Sequence, residues 1–245
     1  MASVVDVLLR HSSCRTYTSE PVSDARLEDL VRAAQQSSTD ATGQLYSVLR
    51  LKDPHLRQRI GELAGDQAHV HDAAEHLIIL LDTHRLSRLL AHRGERYGMR
   101  PLVALLFGIT DATIFAQSLC LAAEDQGYGI CYIGGVQNNA RTIARELALP
   151  KGVIPLYGLT VGRPAVQQPA KPRVPVDAIL HTDAYREPDE RDLATAYEVM
   201  ARATRSGDWL NPIKKYFAEG GIMAEREAEF WGLLEDQGML PTRPV

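Results

Sequence analysis

Between Leu102 and Ala123 the chain is almost wholly apolar, and a run of that length has few places to go. It is long enough to cross a bilayer, but Asp111 and Gln117 fall inside it, and a charge in the middle of a lipid-facing helix is costly. The run therefore predicts a helix buried in protein, with no membrane partner. Gly108, Ala112 and Ala116 recur every four residues and give one helical face a shallow groove. That face suits a tight contact either across a dimer axis or inside one subunit, and the spacing leaves both open. A helix of this kind needs a substantial core around it, which 245 residues at 45% hydrophobic can supply.

The charge balance narrows the partners. Lys+Arg 27 against Asp+Glu 31 gives a formal net charge of -4, and with no long basic block the chain has nothing to attract a nucleic-acid backbone. Cys14, Cys120 and Cys131 are an odd number with no CxxC pair, which suits a reducing cytoplasm rather than a disulfide framework. Residues Met1 to Asp6 have no basic stretch leading into an apolar run, so no signal peptide is expected and the expected location is cytoplasmic.

Around the apolar helix the other elements follow from capping and periodicity. Ser3 can cap a short helix striped by Val4, Val5, Leu8 and Leu9, and Ser23 a second with Leu27, Leu30, Val31 and Ala34 on one side. Tyr46 to Leu51 alternates as a strand, Asp53-Pro54 opens a helix ending near Gly65, and residues 67–71 read as a connection. His76 to Leu81 predicts a central strand. Residues 83–100 have no clear period and read as a variable surface excursion. Ile130 to Ile133 is a short strand broken at Gly134-Gly135, Asn139 can cap a helix from Ala140 to Leu147, and Val153 to Val161 is a further strand. Helices from about Asp189 to Ala203 and from about Ala224 to Leu234 form a helical extension over residues 185–245. Helices outnumber strands, and the strands lie too far apart for hairpins, so one α+β domain over residues 1–245 with a single central sheet is expected.

Several chemistries lack their motifs. There is no GxGxxG after a strand, no GxxxxGK[ST] and no GxSxG. His69, His71, His76, His84 and His92 are not completed by Cys, Asp or Glu at metal-ligand spacing, so no metal is expected. Four polar clusters remain: residues 10–15, residues 67–69, Tyr132 to Gly135, and Lys171-Pro172-Arg173. The first puts two guanidiniums, an imidazole and hydroxyls at a helix end, the donor chemistry of an anion site.

Arg10-His11-Ser12-Ser13-Cys14-Arg15-Thr16-Tyr17, Gly65-Asp66-Gln67, Tyr132-Ile133-Gly134-Gly135-Val136-Gln137-Asn138-Asn139, Pro155-Leu156-Tyr157-Gly158-Leu159 with Gly162-Arg163-Pro164, and Lys171-Pro172-Arg173 together resemble the FMN-dependent nitroreductase family. The likeness is greatest to its NADPH-dependent, oxygen-insensitive nitroreductases and flavin reductases. The resemblance implies an intertwined homodimer built on a central, mostly antiparallel sheet flanked by helices, with FMN at the subunit interface. It assigns His11, Ser12, Ser13, Arg15, Lys171 and Arg173 to the cofactor's phosphate and polar edge. Gln67, Ala68 and His69 would line the flavin ring, and Tyr132, Ile133, Gly134 and Gly135 would pass beside it. Ser38 and Thr39 fall in a loop that touches the cofactor in the family. Arg202 and Arg205 fall in a loop resembling one that grips the 2′-phosphate of NADPH, the implied electron donor.

The implied reaction is a ping-pong transfer of two electrons from NADPH through FMN to a small-molecule acceptor: a nitroaromatic, a quinone or free flavin. No catalytic acid, base or nucleophile is assigned. Two alternatives stand beside it: a flavin reductase supplying reduced FMN to a partner oxygenase, and a non-enzymatic binder of a phosphorylated ligand.

Overall fold

A computed structural model of the chain describes residues 3–240. Its centre is one four-stranded sheet of β1 (Tyr46–Arg50), β2 (Glu75–Asp82), β3 (Gly129–Ile133) and β4 (Val153–Gly162), in the order β1-β2-β4-β3 with every pairing antiparallel. β2 is buried along its whole length, because both of its faces carry helices. Leu77, Ile79 and Leu81 belong to one apolar cluster, Ile78 and Leu80 to another, the two-residue alternation of a strand covered on both sides. The first cluster takes in α2 (Asp24–Ala34) and α6 (Pro101–Asp125) and the second α3 (Pro54–Leu63), while α7 (Ala140–Glu146) gives Ala140 and Ala144 to the first and Ile143 to the second.

α6 is the long apolar run. Ala112, Phe115, Ala116, Leu119, Cys120 and Ala123 are buried on its inner side, and Phe115 stacks on Tyr46 of β1 with ring centroids 4.3 Å apart. The small-residue face packs within the subunit: a Cβ on Gly108 would come 2.4 Å from Leu81 Cγ on β2. The fully buried Asp111 carboxylate accepts the backbone N–H groups of Asp40 at 2.8 Å and Leu45 at 2.9 Å, so the one charge in the run is consumed by a neighbouring loop.

The short helices follow their caps. α1 (Val4–Leu9) opens with a reciprocal Ser3–Asp6 capping box, and the side chains of Ser23 and Asp53 cap α2 and α3. Four sequence expectations need correction. Residues 68–72 form a helix, α4 (Ala68–Asp72), where a connection was expected. The excursion contains α5 (His84–His92). Asn139 does not cap α7; its side-chain amide donates to Leu63 O at 2.7 Å. Finally, α9 (Leu210–Phe217) lies between α8 (Glu190–Ala201) and α10 (Ile222–Asp236). The chain divides into two compact units, Met1–Gln168 with Arg226–Val245, and Pro169–Glu225.

Candidate functional site

The segment after α1 is held in an extended path by its neighbours. His11 N–H donates to Leu8 O at 3.3 Å, Cys14 N–H to Ile130 O at 2.8 Å, and Thr18 N–H to Arg163 O at 2.9 Å. Tyr17 pairs with Pro164, and its hydroxyl sits 3.0 Å from Cys14 O and 2.8 Å from Thr160 Oγ1. Burial drives the Tyr17 phenol far above its ordinary range, so it stays a neutral clamp. Gly129 makes the close approach possible, since a Cβ there would fall 2.6 Å from Cys14 Cβ.

In this segment alternate residues do different work. Arg10, Ser12 and Cys14 line a cavity of about 180 Å3 with Glu124, Tyr128 and Pro164, smaller than the roughly 300–1,000 Å3 of a small-molecule site. Ser12 spends its hydroxyl on Gln168 O at 2.9 Å. Ser13 and Arg15 lie instead beside Cys131, whose thiol is pushed up by burial while these two pull it the other way. The His11 imidazole meets Glu124, with Nδ1 2.7 Å from Oε1.

The second cluster begins at a turn in which Gly65 and Asp66 take φ of 100° and 50°, and Gln67 then stands at the N-terminal boundary of α4. His69 is buried and its Nε2 has no hydrogen-bond partner. Burial lowers its pKa, and the positive charge of Arg15 lowers it further. That influence ties the first cluster to the second. The third cluster follows β3. A Cβ on Gly135 would lie 1.8 Å from Ala64 O, which ties this turn to the end of α3 beside Gly65. Gly134 faces open space, with nothing within 4 Å of a Cβ built on it. Ile133 is buried, while Tyr132 packs edge-on to Tyr157 with centroids 5.1 Å apart.

Three of the four polar clusters thus converge within the first unit, although up to 125 positions of sequence, Arg10 to Gly135, separate them. Ser38 and Thr39 lie on the loop that Asp111 holds against α6, with no hydrogen bond to the converging clusters among the described residues. Lys171, Arg173, Arg202 and Arg205 are exposed in the second unit. Among the described residues there is no group of three or more His, Cys, Asp or Glu able to hold a metal.

The profile of the Nitroreductase family matches residues 8–163. The chain belongs to the nitroreductase family. Within that family it is 36% identical over 194 residues to the Cr(VI) reductase of Pseudomonas sp. (strain G-1), covering 79% of this chain and 80% of that protein. It is 34% identical over 222 residues to the oxygen-insensitive NADPH nitroreductase of Salmonella typhimurium, covering 88% and 91%. Among solved structures it superposes on the NADPH:FMN oxidoreductase of Vibrio harveyi complexed with NAD+, with a TM-score of 0.87 at 28% identity over 98% of this chain and 99% of that one. The antiparallel sheet with flanking helices is the nitroreductase fold, and the protein is an oxidoreductase.

One residue beside these converging clusters escapes motif reading. Glu124, in the last turn of α6, holds His11 from 113 residues away. A carboxylate near the negative end of a helix runs against the helix dipole, and that anomaly is the one sequence signal pointing to it.

Proposed function

We propose that this protein is an FMN-dependent oxidoreductase that takes electrons from NADPH and reduces small-molecule acceptors such as nitroaromatics, quinones or free flavin in two alternating half-reactions. The observation that carries the proposal is the convergence described above. His69 Nε2 is a buried polar atom without a partner, Gly134 faces open space, and Gly135 lies against Ala64 O. A backbone turn bare of side chains and an unsatisfied imidazole suit a flat group carrying hydrogen-bonding atoms. His11, Ser13 and Arg15 add the donors that suit a phosphate, and the guanidinium brings a permanent charge in a planar fork.

When bound, FMN supplies the redox chemistry, accepting a hydride from the nicotinamide and releasing two electrons to the acceptor. The chain's own residues bind and orient. The Gly134-Gly135 turn, exposed at Gly134, is suited to the polar edge of the ring, and Tyr132 just before it packs against Tyr157. Lys171 and Arg173 are candidates for the phosphate through the resemblance, and Arg202 and Arg205 for the 2′-phosphate of NADPH. Replacing Arg202 and Arg205 together by Ala is expected to raise KM for NADPH about tenfold or more and leave NADH unchanged, as for lost charge-assisted bonds. Equal effects on both donors would remove the 2′-phosphate role.

A homodimer in the cytoplasm completes the proposal. α1 exposes Val4, Val5 and Leu9, and α6 exposes Leu102 and Leu106, an apolar surface suited to a second copy. The three cysteines are free and buried, as suits a reducing compartment.

The test is the absorbance spectrum of the purified protein after incubation with FMN, followed by anaerobic NADPH. Flavin bands that bleach with NADPH and return with a quinone or nitroaromatic, with parallel initial-rate lines, are expected. A protein that takes up no FMN would overturn the proposal.

A further inference from the structure

Glu124 is badly placed for a residue with no task. It sits in the last turn of the 25-residue α6, where the helix carbonyls already present negative charge. Its side chain is 10% exposed and its Oε2 is buried with no hydrogen-bond partner, whereas its backbone oxygen accepts the Gly127 N–H at 3.0 Å and a long bond from Arg10 at 3.5 Å. The thiol of Cys120 and the phenol of Tyr132 lie close enough to feel its charge, and neither is a cation. What it holds is His11, through the 2.7 Å contact between Oε1 and Nδ1. A buried carboxylate kept at such a position is costly unless its one partner needs it.

The geometry fixes what the partner does. A carboxylate accepts, so Nδ1 carries the proton and the imidazole ring is locked by that bond. His11 Nε2 makes no hydrogen bond among the described residues, and it is the ring nitrogen left for an outside ligand. When the ring carries both protons, Nδ1–H belongs to Glu124 and Nε2–H is free to donate to a phosphate oxygen. We propose that Glu124 is a positioning residue for the cofactor phosphate, acting through His11, whose ring it orients. This rests on the FMN reading above.

The proposal concerns the phosphate end alone, which separates it from a general structural role. Riboflavin has the same ring as FMN and lacks the phosphate, so it serves as the control ligand. Dissociation constants for FMN and riboflavin are measured by fluorescence titration of the full-length protein, its E124Q and E124A variants, H11A, and H11A combined with E124Q. E124Q keeps the shape of the side chain and guards against a variant that fails to fold.

The expected result is that E124Q and E124A each weaken FMN about tenfold, the scale of one hydrogen bond to a charged group. Riboflavin binding should not change, and E124Q should add no further loss in the H11A background. An E124Q protein that binds FMN as tightly as the wild type, an equal loss for riboflavin, or losses that add in the double variant would each overturn the proposal. Wild-type protein that binds no FMN overturns the cofactor reading itself, whereas wild-type binding with an indifferent E124Q overturns this inference alone.

Discussion

At the scale of single residues, two positions make sharp demands. Gly135 has no room for a side chain, because a Cβ would fall 1.8 Å from Ala64 O, a backbone atom that cannot rotate away. Gly135→Ala is expected to cost about 3 kcal/mol of stability, the upper range for forced overpacking, and to abolish FMN uptake; a thermal melt and a binding titration check both. His76 makes a different demand. It is fully buried with neither ring nitrogen partnered, and burial, then the charges of Arg57 and His71, push its pKa from 6.5 down to about 3. As pH falls below 6.5 the unfolded chain therefore takes up a proton that the folded chain refuses. Stability is complete above that value and drains away toward pH 3, at up to about 1.4 kcal/mol per pH unit. His76→Leu should flatten this acid limb in a series of melts, and an unchanged slope would remove His76 as its source. The sequence marks His11, Ser13, Arg15 and Gly135 as candidates by their chemistry, and His69 through the family resemblance. It hides Glu124 and the isolation of His76, because both depend on which partners the fold brings up, and residue type does not encode that.

At the scale of elements, α6 governs more than its own packing. Asp111 supplies both acceptors for the backbone of the loop that carries Ala41, Thr42 and Gln44 at φ of 46°, 59° and 50°, conformations that non-glycine residues avoid. Asp111→Ala should cost roughly 2–4 kcal/mol, since it strands two N–H groups, and should speed amide exchange at Asp40 and Leu45 ahead of the sheet. Asn is no rescue, because its NH2 would oppose an N–H donor. Most elements are legible in advance for the same reason that α6 is: the apolar run, the Ser3, Ser23 and Asp53 caps and the alternation of β1 are local signals. α4 is missed because its five residues bury only His69 and Val70, too few to set a period. α5 buries no residue fully; Leu86, Leu89 and Leu90 do recur at helical spacing, but the arginines and histidines around them mask so short a stripe.

At the scale of the whole molecule, the outer face of α6 and neighbouring α1 remain apolar, with Leu102 and Leu106 more than 60% exposed. A dimer burying this face should appear in light scattering, and Leu106→Glu should shift it toward monomer, because a buried unpaired charge is costly. A wild-type monomer would remove that face as an interface. The inner side of the same molecule has a consequence for anyone handling it. Cys14, Cys120 and Cys131 are all free and at most 5% exposed, and burial pushes each thiol up, Cys120 to about 12. An alkylating dye added to the native protein should find almost nothing to label, then three sites per chain once the core opens. The protein thus carries its own unfolding clock, read by the rate at which dye is taken up and needing no engineered probe.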